Sequence, residues 1–360
     1  MKPVIGLAVG RGTGAELATV FQQVLGRIAK LHRTDIEIVR SPRTYHSYVS
    51  LKAEEGDVER IGRLTHEDAT HYEEFCREQA RLGTAAVFRT AINAQSLYLV
   101  RQRLQAVKVE PIAAGDASLL LVRDEAQGFY TGENRHSPGL VTRTMEFSRE
   151  ITEKILDFAV RRARQEWPGH GPERVVMAYK FHLLDGALDD WVAESSARHG
   201  TPVRLFQPDT VNRNLITHGL ADRTVIVASN EWADIMHVVL LDRFGEERQE
   251  NRCTQNVYLH PALNGLVEYQ TVHGSADDLE GTGRVNPTAT VRAAAQIAEL
   301  HGGCPGAVRA TERALAAVLD QGISTPDLGG RHSTGAMVDA VLDALDAEEP
   351  DPTDALATRS

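Results

Sequence analysis

The chain has 360 residues, 42% hydrophobic and 25% charged, with 39 basic against 50 acidic side chains and a net charge of −11. This excludes a chain disordered as a whole, and the acidic balance argues against a nucleic-acid partner, whose phosphates need a clustered positive field. No run of about 18 apolar residues is present to span a membrane; three scattered cysteines, Cys76, Cys253 and Cys304, and the lack of a secretory pattern in the opening residues fit a cytoplasmic setting.

The opening segment reads strand, glycine turn, helix: apolar Val4–Val9, then Gly10-Arg11-Gly12-Thr13-Gly14, then a helical spacing of apolar residues up to Leu31. Asp35–Val39 alternates as a strand, and 41–64 shows no clean period and is expected to be loop. Thr65 with Asp68 resembles a capping box opening a helix that runs to Arg81. Thr84–Phe88 is a short buried strand, Ser96–Leu104 a helix, and 108–112 and 117–123 are strands. Phe147–Trp167 is a long amphipathic helix ending at Pro168-Gly169. Strands at 174–179, 203–206 and 224–228 alternate with helices at 185–199, 209–220 and 233–244. Three further helices cover 285–301, 306–320 and 334–346, and the acidic, proline-containing stretch 347–360 is expected to be a disordered tail. Alternating strands and helices define an α/β protein with a substantially parallel sheet.

The glycine turn misses the full G-x-G-x-x-G spacing, so the dinucleotide fold built on that fingerprint is not expected and a tight strand-to-helix turn is the better reading. His66, Glu67 and His71 do not share a helix face well and do not make a zinc site. Lysine is scarce, six in all, and one of them, Lys180, closes the strand 174–179. Asp209 and Asp234 also lie just past strands. A lysine and two carboxylates at the C-terminal ends of parallel strands suit a base and a hard cation. Helix N-caps would place aspartate at two of these positions just as well.

The segment His273-Gly274-Ser275-Ala276-Asp277-Asp278-Leu279-Glu280-Gly281-Thr282-Gly283-Arg284-Val285-Asn286-Pro287 resembles the adenosine-binding loop of the β-decarboxylating dehydrogenases, the isocitrate and isopropylmalate dehydrogenase family. The likeness extends to Gly10–Glu16, to Arg123-Asp124-Glu125 with Gly128–Gly132, to Tyr179–His182, to Asn230–Ile235 and to Thr325–Gly330. It implies an isopropylmalate dehydrogenase-like two-domain fold with a large mixed, mostly parallel sheet, not Rossmann. One domain would comprise 1–95 and 247–360 and carry the adenosine loop; 96–246 would carry a dimer arm, beginning near 133–141, and the catalytic residues.

The resemblance also implies roles. Lys180 would take the hydroxyl proton and Tyr130 would protonate the enol carbon. Arg101, Arg123 and Ser96 would hold a small anionic substrate. Asp234, with Asp209 from the second subunit of a homodimer, would hold Mg2+ or Mn2+. His273, Gly274, Ser275, Ala276, Asp278 and Asn286 would bind NAD. Asp278 falls where NAD-using relatives place aspartate, so NAD is expected over NADP. Several positions depart from the family pattern. Glu110 stands where a third substrate arginine is expected, Val238 where a third aspartate is, and His182 where an asparagine is. Arg11 replaces an aspartate, and Ala86–Ala91 replaces a glycine-rich loop. An intact adenosine loop beside an altered substrate side implies a changed, specialised substrate. The other reading of the same departures is a binding or regulatory relative without turnover.

Overall fold

The computed structural model describes residues 2–54, 57–114, 116–244, 251–272 and 274–347. The chain divides into two compact units: Met1–Leu97, Gln249–Gln255 and Ala262–Ser360 form unit 1, and Tyr98–Arg248 with Asn256–Pro261 forms unit 2. The expected tail at 347–360 lies outside the described residues except for Ala347, which ends a helix.

In unit 1, strands β1 (Val4–Gly10), β2 (Glu37–Tyr45), β3 (Ala86–Arg89) and β12 (Val267–Thr271) run in the order β2-β1-β3-β12. Every neighbouring pair is parallel. Helices α1 (Gly14–Leu31), α9 (Thr288–His301), α10 (Ala307–Asp320) and α11 (Thr334–Ala347) share one apolar core with the strands. Ile5, Leu7, Phe21, Ile297 and Met337 belong to it, and Phe21 stacks on Phe88 at 4.2 Å between ring centroids. Helices α2 (Tyr48–Glu54) and α3 (Val58–Arg81) complete the unit.

Helix α4 (Ala94–Leu104) carries the chain into unit 2. There β4 (Ala106–Ala114), β5 (Ala117–Asp124), β8 (Arg174–Ala178), β9 (Val203–Phe206) and β10 (Thr224–Ser229) follow the order β4-β5-β10-β8-β9. β4 is antiparallel to β5 and to the end of β11 (Cys253–Tyr258), while β5, β10, β8 and β9 are mutually parallel. Side-chain alternation gives this sheet two apolar faces. Val122, Val175, Met177 and Val227 pack with α5 (Arg149–Glu166) and α6 (Ala187–His199). Leu121, Ala178, Ile226 and Ala228 pack with α7 (Pro208–His218) and α8 (Asn230–Phe244). A hairpin of β6 (Glu133–Ser137) and β7 (Leu140–Thr144) stands apart as its own two-stranded sheet.

The expectation of a loop through 41–64 is corrected. β2 continues to Tyr45, α2 follows, and α3 starts at Val58, capped by Asp57, whose side chain accepts from Glu59 N. Thr65 and Asp68 are therefore not a helix start. They lie a full turn or more inside α3, and both are buried because they bond to other segments. The Asp68 carboxylate accepts from Arg43 Nε at 2.7 Å and His46 Nδ1 at 2.9 Å. Strands β11 and β12 were not expected, since their inward positions include polar side chains. Glu268 of β12 is buried, pairs with Arg89 Nε at 3.0 Å and accepts from the Tyr72 hydroxyl at 2.6 Å. The same pair holds the side chain of Arg89, within the segment that replaces the expected glycine-rich loop, in the core of unit 1.

Candidate active site

The parallel strands of unit 2 bring their C-terminal ends to one edge, where α/β sheets gather ligand-binding groups. β5 ends in Arg123-Asp124, β8 leads into Tyr179-Lys180, β9 into Gln207 and Asp209, and β10 runs directly into α8 with Asn230 and Asp234.

Three of the expected site residues meet there. The Arg123 guanidinium donates to Asn230 Oδ1 at 2.6 Å and to the Asp234 carboxylate. Tyr130 Oη donates to Asp234 Oδ2 at 2.9 Å. Tyr130 sits in a short 3-10 turn, Phe129–Thr131, which Arg143 of β7 clamps by donating to the carbonyls of Phe129 and Tyr130 at 2.7 and 2.8 Å. A second pair forms beside it. Lys180 Nζ lies 2.7 Å from Asp209 Oδ1 and 3.2 Å from Gln207 Oε1, with its ammonium 5.5 Å from the Trp232 ring centre. The hydrogen bond from Lys180 holds the exposed Asp209 carboxyl below its ordinary range. No hydrogen bond or ion pair joins the two sets among the described residues.

Arg101, on α4, is buried with Nε 3.2 Å from Glu125 Oε2. Its guanidinium lies 5.4 Å from the Tyr98 ring, and Tyr98 stacks on Tyr130 at 4.9 Å. Tyr98 therefore links Arg101 to Tyr130, a contact invisible in the sequence because Tyr98 and Tyr130 belong to different motifs. Ser96 is buried in unit 1, its Oγ 3.4 Å from Asn93 Nδ2.

Glu110 occupies a buried charge row. Its carboxylate lies 3.0 Å from Lys108 Nζ, 2.9 Å from His237 Nε2 and 3.9 Å from Arg123 Nη1. Burial alone would raise the Glu110 carboxyl, but Lys108, His237 and Arg123 outweigh it and hold the group well below the carboxylate range. Lys108 and His237, not singled out from the sequence, are thus what lets a carboxylate stand where an arginine is expected.

The loop expected to bind the cofactor is organised within unit 1. Gly12, at φ +70°, packs so closely that a Cβ would stand 2.5 Å from Ser275 O. Thr13 N and Oγ1 both donate to that carbonyl at 3.0 Å. Asp277 accepts from Ser47 Oγ at 2.6 Å and Ser275 Oγ at 2.5 Å, anchoring the loop, while Asp278 beside it is exposed. Ala276 adopts φ +43°. Asn286 Nδ2 donates to Asn251 and Asp327, each at 2.9 Å, and its Oδ1 accepts from Thr288 N. Adding a Cβ to Gly274 would meet nothing within 4 Å. His273 lies outside the described residues. An open glycine flanked by an anchored turn and an exposed carboxylate fits an adenosine moiety whose ribose hydroxyls need an acceptor.

Two α/β units with mixed, mostly parallel strands, and an edge bearing Arg123, Tyr130, Lys180, Asp209 and Asp234, define the class of protein. The chain matches the profile of the isocitrate/isopropylmalate dehydrogenase family over residues 87–341, and it belongs to that family. It is 28% identical over 272 residues to a 3-isopropylmalate dehydrogenase of Shouchella clausii, covering 70% of each chain. It is 29% identical over 236 residues to a 3-isopropylmalate/3-methylmalate dehydrogenase of Methanocaldococcus jannaschii, covering 63% of this chain and 67% of that one. Its fold is similar to the solved isocitrate dehydrogenase of Methylococcus capsulatus, with a TM-score of 0.64, 17% identity and coverage of 95% and 99% of the two chains.

Proposed function

We propose that this chain is an NAD-dependent dehydrogenase, requiring Mg2+ or Mn2+, that oxidises a malate-like 2-hydroxy acid bearing a carboxylate on the next carbon, with decarboxylation following. The observation that carries the reading is the convergence of Arg123, Tyr130 and Asp234 on one strand edge in a member of this family. NAD would accept the hydride, and a divalent cation on Asp234 and the partner subunit's Asp209 would draw charge from the hydroxyl and the adjacent carboxylate. One or two carboxylates plus substrate oxygens are an ordinary ligand set for such a cation, and the Asp234 side chain is 41% exposed.

Lys180, held in place by Gln207 and Asp209, takes the hydroxyl proton. Arg123 and Arg101 hold carboxylates, Arg123 by exchanging its bond to Asp234 for one to the substrate. Tyr130, stacked on Tyr98 and clamped by Arg143, delivers the proton to the enol carbon. Two arginines are offered rather than three, because Glu110 stands at the third position and is paired with Lys108 within the chain. The site therefore favours a dicarboxylate with an uncharged substituent over a tricarboxylate. Exposed apolar residues on α7 and α8, Ile216, Ile235 and Val238, support the homodimer in which Lys180 and Asp209 complete the second subunit's site.

The experiment is NADH formation from NAD by the purified chain with Mg2+ and with Mn2+, across malate, tartrate, 3-alkylmalates, isocitrate and homoisocitrate. Turnover of a dicarboxylate supports the reading. Glu110 and Val238 favour a second reading, a binding relative without turnover. NAD and cation binding with no NADH from any acid would establish that one instead.

A further inference from the structure

Asp124 is fully buried, and no cation pairs with it among the described residues. Four donors converge on its carboxylate instead. Oδ1 accepts from Ala126 N at 3.0 Å and Gln127 N at 3.1 Å; Oδ2 accepts from Gln127 Nε2 at 3.0 Å and Tyr179 Oη at 2.7 Å. Gln127 extends the cluster, its Oε1 accepting from Ser148 N, the cap of α5, at 2.5 Å. Phe147 packs edge-on against Tyr179 at 6.1 Å between centroids. Burying a carboxylate without a cation is unfavourable, and an apolar packing of the same volume would be the more stable solution. A stability role alone therefore gives a poor account of the group.

Its position gives a better one. Asp124 is the neighbour of Arg123, and Tyr179 is the neighbour of Lys180. β10 lies between their strands, with Ser229 in register with Asp124 and Ala228 in register with Ala178. The Asp124–Tyr179 bond thus bridges the end of the intervening strand and ties together the two strand ends that present an arginine and the lysine. We propose that Asp124 and Tyr179 are positioning residues, a buried brace that sets Lys180 and Arg123 at a common level on the strand edge. This rests on the reading that Lys180 and Arg123 serve the reaction. The side chains that brace the site are packed into the sheet and never touch substrate.

The test uses the full chain with Tyr179→Phe, Asp124→Asn and the double substitution. Both single changes are nearly isosteric, and in Asp124→Asn the amide and the Tyr179 hydroxyl can exchange donor and acceptor roles. Three quantities are read: kcat and KM for the fastest 2-hydroxy acid of the panel, melting temperature, and acetylation of Lys180 relative to Lys30 by an N-hydroxysuccinimide ester, resolved by mass spectrometry without substrate. For Tyr179→Phe the brace predicts kcat lowered roughly 10–100-fold, KM within about 3-fold, and Lys180 labelling altered by at least about 3-fold. The double variant should lose no more than Tyr179→Phe alone, because that single change already removes the bond, whereas Asp124→Asn can keep it. Unchanged kcat and Lys180 labelling with only a lower melting temperature would overturn the proposal. If the wild type turns over no acid, the proposed function fails, and the labelling still decides the brace.

Discussion

Tyr130 has two partners of opposite kind: its hydroxyl donates to Asp234, and its ring lies on Tyr98. Replacing it with phenylalanine keeps the stack and removes the proton. Tyr130→Phe should leave hydride transfer intact and slow protonation of the enol, giving a rapid burst of NADH that outruns final product. Rapid-quench analysis that finds the two in step would reduce Tyr130 to a packing residue. Asp124 yields a prediction in pH. Burial lifts its carboxyl from 3.8 to about 6, against the hydrogen bonds from Gln127 and Tyr179. The native state thus holds this proton more tightly than the unfolded chain. The resulting stability is full below about pH 4 and is lost as pH rises through about 6, a change of about 3 kcal/mol. Urea unfolding of wild type and Asp124→Asn at several pH values should show the difference between them shrinking or reversing across that window. A constant difference would mean that Asp124 titrates normally. Lys180, Tyr130 and Asp234 could be picked out as candidates in the sequence because each sits in a contiguous motif. The partners of Glu110 and Asp124 could not, since His237 and Tyr179 reach them only across the folded sheet.

Elements whose apolar positions alternate or recur every three to four residues, such as β1, α1 and α5, were readable from pattern alone. Those that bury polar groups were not. β12 carries Glu268 inward because Arg89 and Tyr72 supply its partners, and no local rule assigns a strand to such a segment. α3 begins seven residues before the expected cap at Thr65, because its first turns face solvent and show no apolar stripe. Of these features, the buried Arg89–Glu268 ion pair bears most on stability. Glu268→Leu would strand the Arg89 guanidinium, 4% exposed, and should lower unfolding free energy by about 3–5 kcal/mol. Adding Arg89→Leu should recover part of that loss. An Arg89-containing variant as stable as wild type would show that the pair contributes nothing.

For the whole molecule, the order of motifs along the chain made the family legible before any contact was known. The division of labour between units followed less directly, because the chain returns to unit 2 at Asn256–Pro261 with no composition change to mark it. The loop from Gly274 to Asn286 belongs to unit 1, and under the proposed function its exposed Asp278 would repel a 2′-phosphate and accept from ribose hydroxyls. NAD should therefore be preferred over NADP by at least about 10-fold in kcat/KM, or about 1.4 kcal/mol. Equal use of NADP would remove Asp278 from cofactor selection. The central claim is that this chain couples oxidation of a 2-hydroxy acid to decarboxylation through Lys180. Its most direct test measures NADH and CO2 together, for wild type and Lys180→Met, with NAD, Mn2+ and the best dicarboxylate of the panel. The account predicts equal amounts of both products from the wild type and, in the variant, a rate lower by on the order of 10²–10⁴ with NAD binding retained. Wild-type turnover in Lys180→Met, or NADH formed without CO2, would contradict it.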